Sequence, residues 1–440
     1  MTKFISNKSI ASHLKLCFFF KHSIPVIAIV LLVFSGRFNI PFLKNGDYPI
    51  YIGILFLFVI TLYSLKKKIN NKNICFILFN ILFIFYIFIR TWNSYNMSQA
   101  AKAFELTIYV FPLVLFILII IDNKRMIDLV LFYTFSLTLF FAVLGLFSGD
   151  LGEGRLSVLG GGSNVYGRYM LFGFILSVYY LQKSNRLVLK IIIILLLFLF
   201  SILTIYSGSR QAVLGLVLAL IIISALWIIK TINYKITLNR IKKISLLILL
   251  GFLMTILAKK FLVNTLIFNR LMLLTSDNKG SSVEIRLVLY DKSWKMFFEN
   301  PLWGNGTRSF AENMPQGLTY PHNVYLELLA EYGIIGFLLF IVIVGISLLS
   351  LIRNYFSVSI ENTSELNQVV TLITFIIISG YFSSISGDLY DSRWIFYFSA
   401  ISIAIDNCRK KTKEMDYVYP NDGTFPTVLY DKARIINRIK

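Results

Sequence analysis

Apolar residues run through this chain in long stretches, broken by short polar segments that are mostly basic. Crossing a hydrocarbon core of ~30 Å takes about 20 apolar residues in a helix. Run length predicts about twelve such helices, in 17–35, 48–65, 73–89, 103–121, 127–147, 165–181, 187–206, 211–229, 244–257, 333–352, 368–385 and 393–405. The ninth and twelfth runs are the shortest. The pattern predicts an all-α polytopic membrane protein in four parts: membrane helices over 1–257 (about nine spans), a long loop over 258–332, membrane helices over 333–406 (about three spans) and a tail over 407–440. Lysines precede the first apolar run as in a signal peptide, but no small-residue cleavage site stands out, so that run is read as an uncleaved transmembrane helix.

The loop over 258–332 carries local structure of its own. Ser281-Ser282-Val283-Glu284 has the form of a capping box. A helical pattern with Ile285, Leu287, Leu289, Trp294, Met296 and Phe297 follows, and Asn300-Pro301 should stop it. Gly304-Asn305-Gly306 demands a turn. Pro321-His322-Asn323 should start a further helix over 324–332, after which Gly333 and Gly336 lead into the tenth span. A loop of this length in a compact protein is usually functional.

Composition sharpens this reading. Of 440 residues, 57% are hydrophobic and 15% charged, against about 25% charged in soluble domains. The net charge of +21 would suggest nucleic acid in a soluble chain. Here the basic residues sit in short loops between spans, and no nucleic-acid partner is expected. Lys66, Lys67, Lys68, Lys72, Lys124, Arg125, Lys183, Arg186, Lys190, Lys230, Lys235 and Arg240 fall on one side if the spans alternate, together with both basic termini. The positive-inside rule then puts both termini in the cytoplasm and the long loop outside it. The bilayer is accordingly an expected partner.

Cys17, Cys75 and Cys408 all lie outside the long loop and have no metal-ligand spacing, so neither a disulfide framework nor a metal is expected. No nucleotide-binding fingerprint appears either, and no cofactor is expected. Of the three histidines, His13 and His22 fall in the N-terminal segment and His322 in the outer loop. An imidazole, with an ordinary pKa of about 6.5, suits a general base at neutral pH; a solvated histidine at a helix cap is the plainer reading. Arg210, Arg286, Arg308 and Arg393 face the same compartment as His322. A guanidinium matches phosphate oxygens as a fixed fork, although each arginine singly reads as snorkelling to the interface. Glu284, Glu327 and Glu331 read as helix-cap or helix-surface residues, and Asp388 and Asp391 as partners for Arg393. Gly160-Gly161-Gly162-Ser163-Asn164 reads as a flexible loop in preference to a helix start lining a cavity.

Three motifs taken together resemble the O-antigen ligase/polymerase family of bacterial surface-polysaccharide assembly. They are Asn300-Pro301-Leu302-Trp303-Gly304-Asn305-Gly306-Thr307, Pro321-His322-Asn323-Val324-Tyr325-Leu326-Glu327, and Glu331-Tyr332-Gly333-Ile334-Ile335-Gly336. Ser207-Gly208-Ser209-Arg210 and Ile285-Arg286-Leu287 with Trp294 extend the likeness, which covers mostly 206–336. The resemblance implies an inner-membrane, metal-independent, inverting glycosyltransferase whose donor is an undecaprenyl-diphosphate-linked oligosaccharide. It implies that His322 is the base on the acceptor hydroxyl and that Arg210 and Arg286 hold the donor diphosphate. Arg308, Asn323 and Arg393 are further candidate substrate contacts. A chain-length regulator protein is a further partner to consider.

Two functions share this machinery. A polymerase extends a glycan on the lipid carrier; a ligase transfers it to lipid A–core sugar. The compact spacing from Trp-Gly-Asn-Gly to Pro-His-Asn favours the polymerase. From another class, a lipid-linked-oligosaccharide flippase fits the topology. It should show midplane charges and repeat-like halves, whereas the long loop sits in one half only.

Overall fold

The computed structural model describes residues 23–34, 73–92, 97–149, 155–159, 161–232, 281–312, 314, 318–389 and 392–418. The helices before the long loop are α1 (Ile24–Phe34), α2 (Ile74–Trp92), α3 (Met97–Ile120), α4 (Lys124–Ser148), α5 (Gly162–Lys183), α6 (Leu187–Tyr206) and α7 (Arg210–Ile232). The loop helices α8 (Ser281–Glu299) and α9 (Ser309–Glu312) follow, then α10 (Val324–Ser357), α11 (Thr363–Ile385) and α12 (Arg393–Val418). All but α9 match a run or loop pattern identified above; α9 follows the Gly304–Gly306 turn where no helix was expected, and the runs over 48–65 and 244–257 lie outside the described residues. Among the described residues six helices, α2, α4, α6, α7, α10 and α11, are long and apolar enough to cross a membrane. The chain is an all-α, multi-pass membrane protein.

These helices are apolar on both sides, for two different reasons. In α2, Phe76, Asn80, Phe83, Ile87 and Thr91 are buried at spacings of three and four. Ile74, Leu78, Ile81, Phe85 and Phe88 form the opposite, exposed stripe. A soluble helix would make that second stripe polar; in a bilayer it faces lipid. Lipid is as apolar as the interior, so close packing rather than burial from water holds the bundle together. The centre lies among α5, α11 and α12. There Phe375 stacks on Phe398 with ring centroids 4.3 Å apart, and Phe172 meets Phe375, Trp394 and Phe398 edge-on. Such pairs contribute about 0.5–1.5 kcal/mol each beyond their area.

Side-chain contacts sort the helix ends into two sets. At one end, Lys124 pairs with Glu365 at 3.3 Å and Lys183 with Asp128 at 2.7 Å. Lys230 belongs to this end. It is buried, not a loop cation, and its ammonium donates to the carbonyl oxygens of Tyr355 (2.7 Å) and Phe356 (3.3 Å). A cation there complements the partial negative charge at the C-terminus of α10. The opposite end gathers the starts of α5, α7 and α8 and the end of α11 around one cavity.

Helix α10 is broken at Gly333, whose φ of 62° and ψ of −166° are open to glycine alone. The expected sequence, a short helix over 324–332 and then an apolar span, is therefore one element with a kink. The Pro301–Gly306 turn docks into the break. Ile334 N–H donates to Pro301 O (2.9 Å), Asn305 N–H to Ala330 O (3.1 Å) and Gly306 N–H to Glu331 O (2.9 Å). The approach is close enough that a Cβ on Gly333 would lie 2.4 Å from Leu302 O, and one on Gly304 would lie 2.4 Å from Glu331 O. Gly333→Ala should therefore destabilise the fold by roughly 2–4 kcal/mol, from backbone strain plus the clash. Thermal unfolding in detergent checks this; an unchanged melting temperature would mean that the docked turn is not a structural support.

Candidate functional site

Three helix N-termini converge on one cavity of about 230 Å³. From α5 comes Asn164, from α7 Arg210, Gln211 and Leu214, and from α8 Val283 and Arg286. Arg155 and Gly208 close it from the intervening loops, and Tyr381 and Ile385 from the end of α11. Local chemistry explains the placement. Ser207 turns the chain between α6 and α7: its hydroxyl donates to Thr204 O (2.6 Å) and accepts from Ser209 N–H (3.2 Å). Gly208, at φ 64°, passes so close to Arg155 that a Cβ would lie 2.7 Å from its Cγ. Arg155 is further positioned by Leu156 N–H, which donates to Tyr206 O (3.0 Å), and by its own Nη2, which donates to Asn164 Oδ1 (3.1 Å).

The electrostatics of this cavity favour an anion. Each helix N-terminus carries roughly half a positive charge, and three such ends oppose the C-terminal ends of α6, beside Gly208, and α11. Three guanidinium groups are added to these, and among the described residues no carboxylate lines the cavity. Oriented N–H groups with arginine forks suit a group carrying several acceptor oxygens.

His322 is outside the lining of the cavity. It takes a left-handed backbone conformation, φ 57°, which few residues with a Cβ adopt. Its ring lies 4.3 Å from that of Tyr320, centroid to centroid. The next residue, Asn323, is the N-cap of α10, accepting from Tyr325 N–H (3.0 Å) and Leu326 N–H (3.2 Å). Asn323 also hydrogen-bonds Tyr290, one helical turn beyond Arg286 on α8. Burial raises the Tyr290 phenol above its ordinary pKa, while the nearby Arg286 charge and the Asn323 bond pull it down. Arg286, Tyr290 and Asn323 thus link the cavity lining to the residue that follows His322.

Arg308 is held through both its backbone and its side chain. Its backbone N–H donates to Glu331 Oε2 (2.9 Å), its Nη1 to Thr319 O (3.3 Å), and its Nη2 lies 3.6 Å from Asp388 Oδ2. Asp388 thus pairs with Arg308, whereas the sequence pointed to Arg393; Asp391 lies outside the described residues. Arg393 is buried at the start of α12. Glu327 and Glu331 are 0% exposed, not helix-surface residues. Glu327 Oε2 accepts from Leu389 N–H (2.9 Å), which ties the start of α10 to the α11–α12 loop. Only Glu284 is exposed as expected.

The Trp303–Thr307 turn has a supporting role. Tyr86 donates to Trp303 O and Tyr332 O (3.0 Å each), and Arg90 to Gly304 O (2.8 Å). Thr307 Oγ1 lies 2.7 Å from Thr91 Oγ1 and accepts from Tyr332 Oη at 3.1 Å. These bonds anchor the segment before His322 to α2.

Sequence reasoning missed Arg155, Asn164, Gln211 and Tyr290. Arg155 did carry a signal: it is an arginine in a loop on the side that should be poor in basic residues. The glycine-rich segment was misjudged as a plain loop. Gly162 begins α5, and Asn164 in its first turn lines the cavity.

Comparison with known proteins places these residues. The model of the family described as O-antigen ligase matches residues 195–341, a segment that contains Arg210, Gln211, Arg286, Tyr290, Arg308, His322 and Asn323. This segment is similar to the O-antigen ligase/polymerase family, whose members are glycosyltransferase-like enzymes acting on lipid-linked glycans in a membrane. No curated protein matches the chain.

Proposed function

We propose that this protein is a surface-polysaccharide polymerase of the O-antigen ligase/polymerase family. In this reading it is an inverting glycosyltransferase that joins undecaprenyl-diphosphate-linked repeat units on the periplasmic face of the inner membrane. The observation that carries the proposal is the meeting of Arg155, Arg210 and Arg286 at three helix N-termini, with Asn323, the residue after His322, joined to Arg286 through Tyr290. The uneven distribution of basic residues supports a periplasmic site and cytoplasmic termini.

The donor is a glycan whose anomeric carbon is bonded to undecaprenyl diphosphate. Arg210 and Arg286, joined by Arg155, grip the diphosphate. His322 accepts the proton of an acceptor hydroxyl on the incoming lipid-linked unit as that oxygen attacks the anomeric carbon from the face opposite the diphosphate. The new glycosidic bond forms, the bond to the diphosphate oxygen breaks, and the configuration inverts. Negative charge grows on the departing diphosphate, where fixed cations stabilise the transition state more than the ground state. Arg308 is held by carboxylates and positions the loop before His322.

The guanidinium groups stay protonated throughout, so a chelator should leave transfer by the purified enzyme unchanged. Inhibition by EDTA that added Mg2+ or Mn2+ reverses would assign part of the diphosphate binding to a metal instead.

The description of the matched family as O-antigen ligase favours a second reading, transfer of the glycan to lipid A–core. A lipopolysaccharide gel from cells lacking the gene separates the two. Truncation of the ladder to core plus one repeat unit supports the polymerase. Loss of every repeat with lipid-linked polymer accumulating supports the ligase. Loss of every repeat without extracytoplasmic polymer would point to a flippase and overturn both.

A further inference from the structure

The wall of the arginine cavity contains a neutral side chain that the diphosphate reading leaves unexplained. Gln211, the second residue of α7, is 5% exposed and lines the cavity. Its backbone oxygen accepts from Tyr381 Oη at 3.2 Å. Among the described residues, neither Nε2 nor Oε1 of its side chain has a hydrogen-bond partner. A buried amide left without partners is costly, and most buried polar groups avoid that state. This one sits at a cavity with room for a ligand, beside the cation Arg210.

The amide presents a donor and an acceptor together, the identities of N and O being set by what they meet. The proposed donor has three chemically distinct parts. The polyprenyl tail offers neither function. The diphosphate offers acceptors only, and three guanidinium groups already match it. The sugar joined to the diphosphate carries hydroxyl or acylamino groups, each able to donate and to accept. Only the sugar satisfies both atoms of Gln211.

We infer that Gln211 reads the diphosphate-linked sugar of the donor, through a hydroxyl or acylamino group close to the anomeric carbon, and so sets donor specificity next to the charge-gripping arginines. The inference rests on the proposed diphosphate site. It separates two tasks within one turn of α7: Arg210 holds the charge common to all such donors, and Gln211 distinguishes the sugar.

The test is binding to the purified full-length chain in nanodiscs, with two probes: a polyprenyl diphosphate without sugar, and the same diphosphate carrying one N-acetylhexosamine. Wild type should bind the sugar-bearing probe about ten-fold more tightly, the scale of a satisfied buried polar pair. Gln211→Met, similar in length and apolar, should keep the affinity for the sugarless probe and lose the ten-fold preference. Gln211→Glu brings a carboxylate toward the diphosphate and should weaken both probes, which gives a second variant if the first fails to fold. Equal binding of the two probes by wild type would overturn the inference. So would a preference retained in Gln211→Met, or wild-type affinities in Gln211→Glu; either result would mean that water in the cavity satisfies the amide. If neither probe binds wild type, the diphosphate site itself is wrong, a failure distinguishable from the others because it removes sugarless binding too.

Discussion

His322→Asn lowers glycan transfer about 10²–10⁴-fold while the protein still inserts and purifies normally; this is the expected result, set by what a positioned general base contributes. Asparagine is the sharper substitution because of the backbone. His322 has φ 57°, and replacement by alanine would add left-handed strain to the loss of the imidazole. Asparagine tolerates that region but cannot act as a base at neutral pH. A structural role for His322, packed against Tyr320 at 4.3 Å, would therefore be largely spared by His322→Asn. A catalytic role would not. Transfer assayed with the purified enzyme and a lipid-linked donor decides between them, and activity within a few-fold of wild type would remove His322 from the chemistry.

Arg210→Lys should cost about 10²-fold in kcat, and Arg210→Ala up to about 10³-fold, the range seen when a donor aimed at developing charge is removed. Lysine keeps the charge but replaces a planar fork with a point, so it cannot bond two phosphate oxygens in parallel. The loss should appear mainly in kcat, because the arginine's contribution is greatest when the diphosphate departs. Arg210 begins α7 directly after the Ser207–Ser209 turn, so the substitution leaves the backbone support in place. If Arg210→Lys raised KM alone, the residue would be a binding cation with no share in the transition state. If neither constant changed, the anion would be held by Arg155 and Arg286.

The parts of this arrangement legible in the sequence are those determined by short-range interactions. Asn300-Pro301 ends α8 at Glu299 because proline disfavours helix in the residue before it. Asn323 starts α10 because its side chain accepts from N–H groups two and three residues ahead. The apolar runs become helices because a bilayer leaves the backbone no other hydrogen-bond partner. Arg210 and Arg286 were legible as cations at or near helix starts. Their meeting in one cavity was not, because nothing local relates residues 76 positions apart (286 − 210).

Glu327 and Glu331 mark the limit most clearly. Four residues apart on one helix and separated by Leu328, Leu329 and Ala330, they have the pattern of a solvated face. They are buried because Leu389 N–H and Arg308 N–H, supplied by two distant loops, accept the role that water would otherwise play. Gly333 is a similar case: its place between two helical stretches is visible in the chain, but the break exists to admit the Pro301–Gly306 turn. The sequence by itself determined the helices, their caps and the residue types available for chemistry, since these depend on hydropathy and on bonds within about one turn. The tertiary structure alone decided which charges meet, which are buried and which side chains share the arginine cavity, because those outcomes depend on hydrogen bonds and packing between segments far apart in the chain.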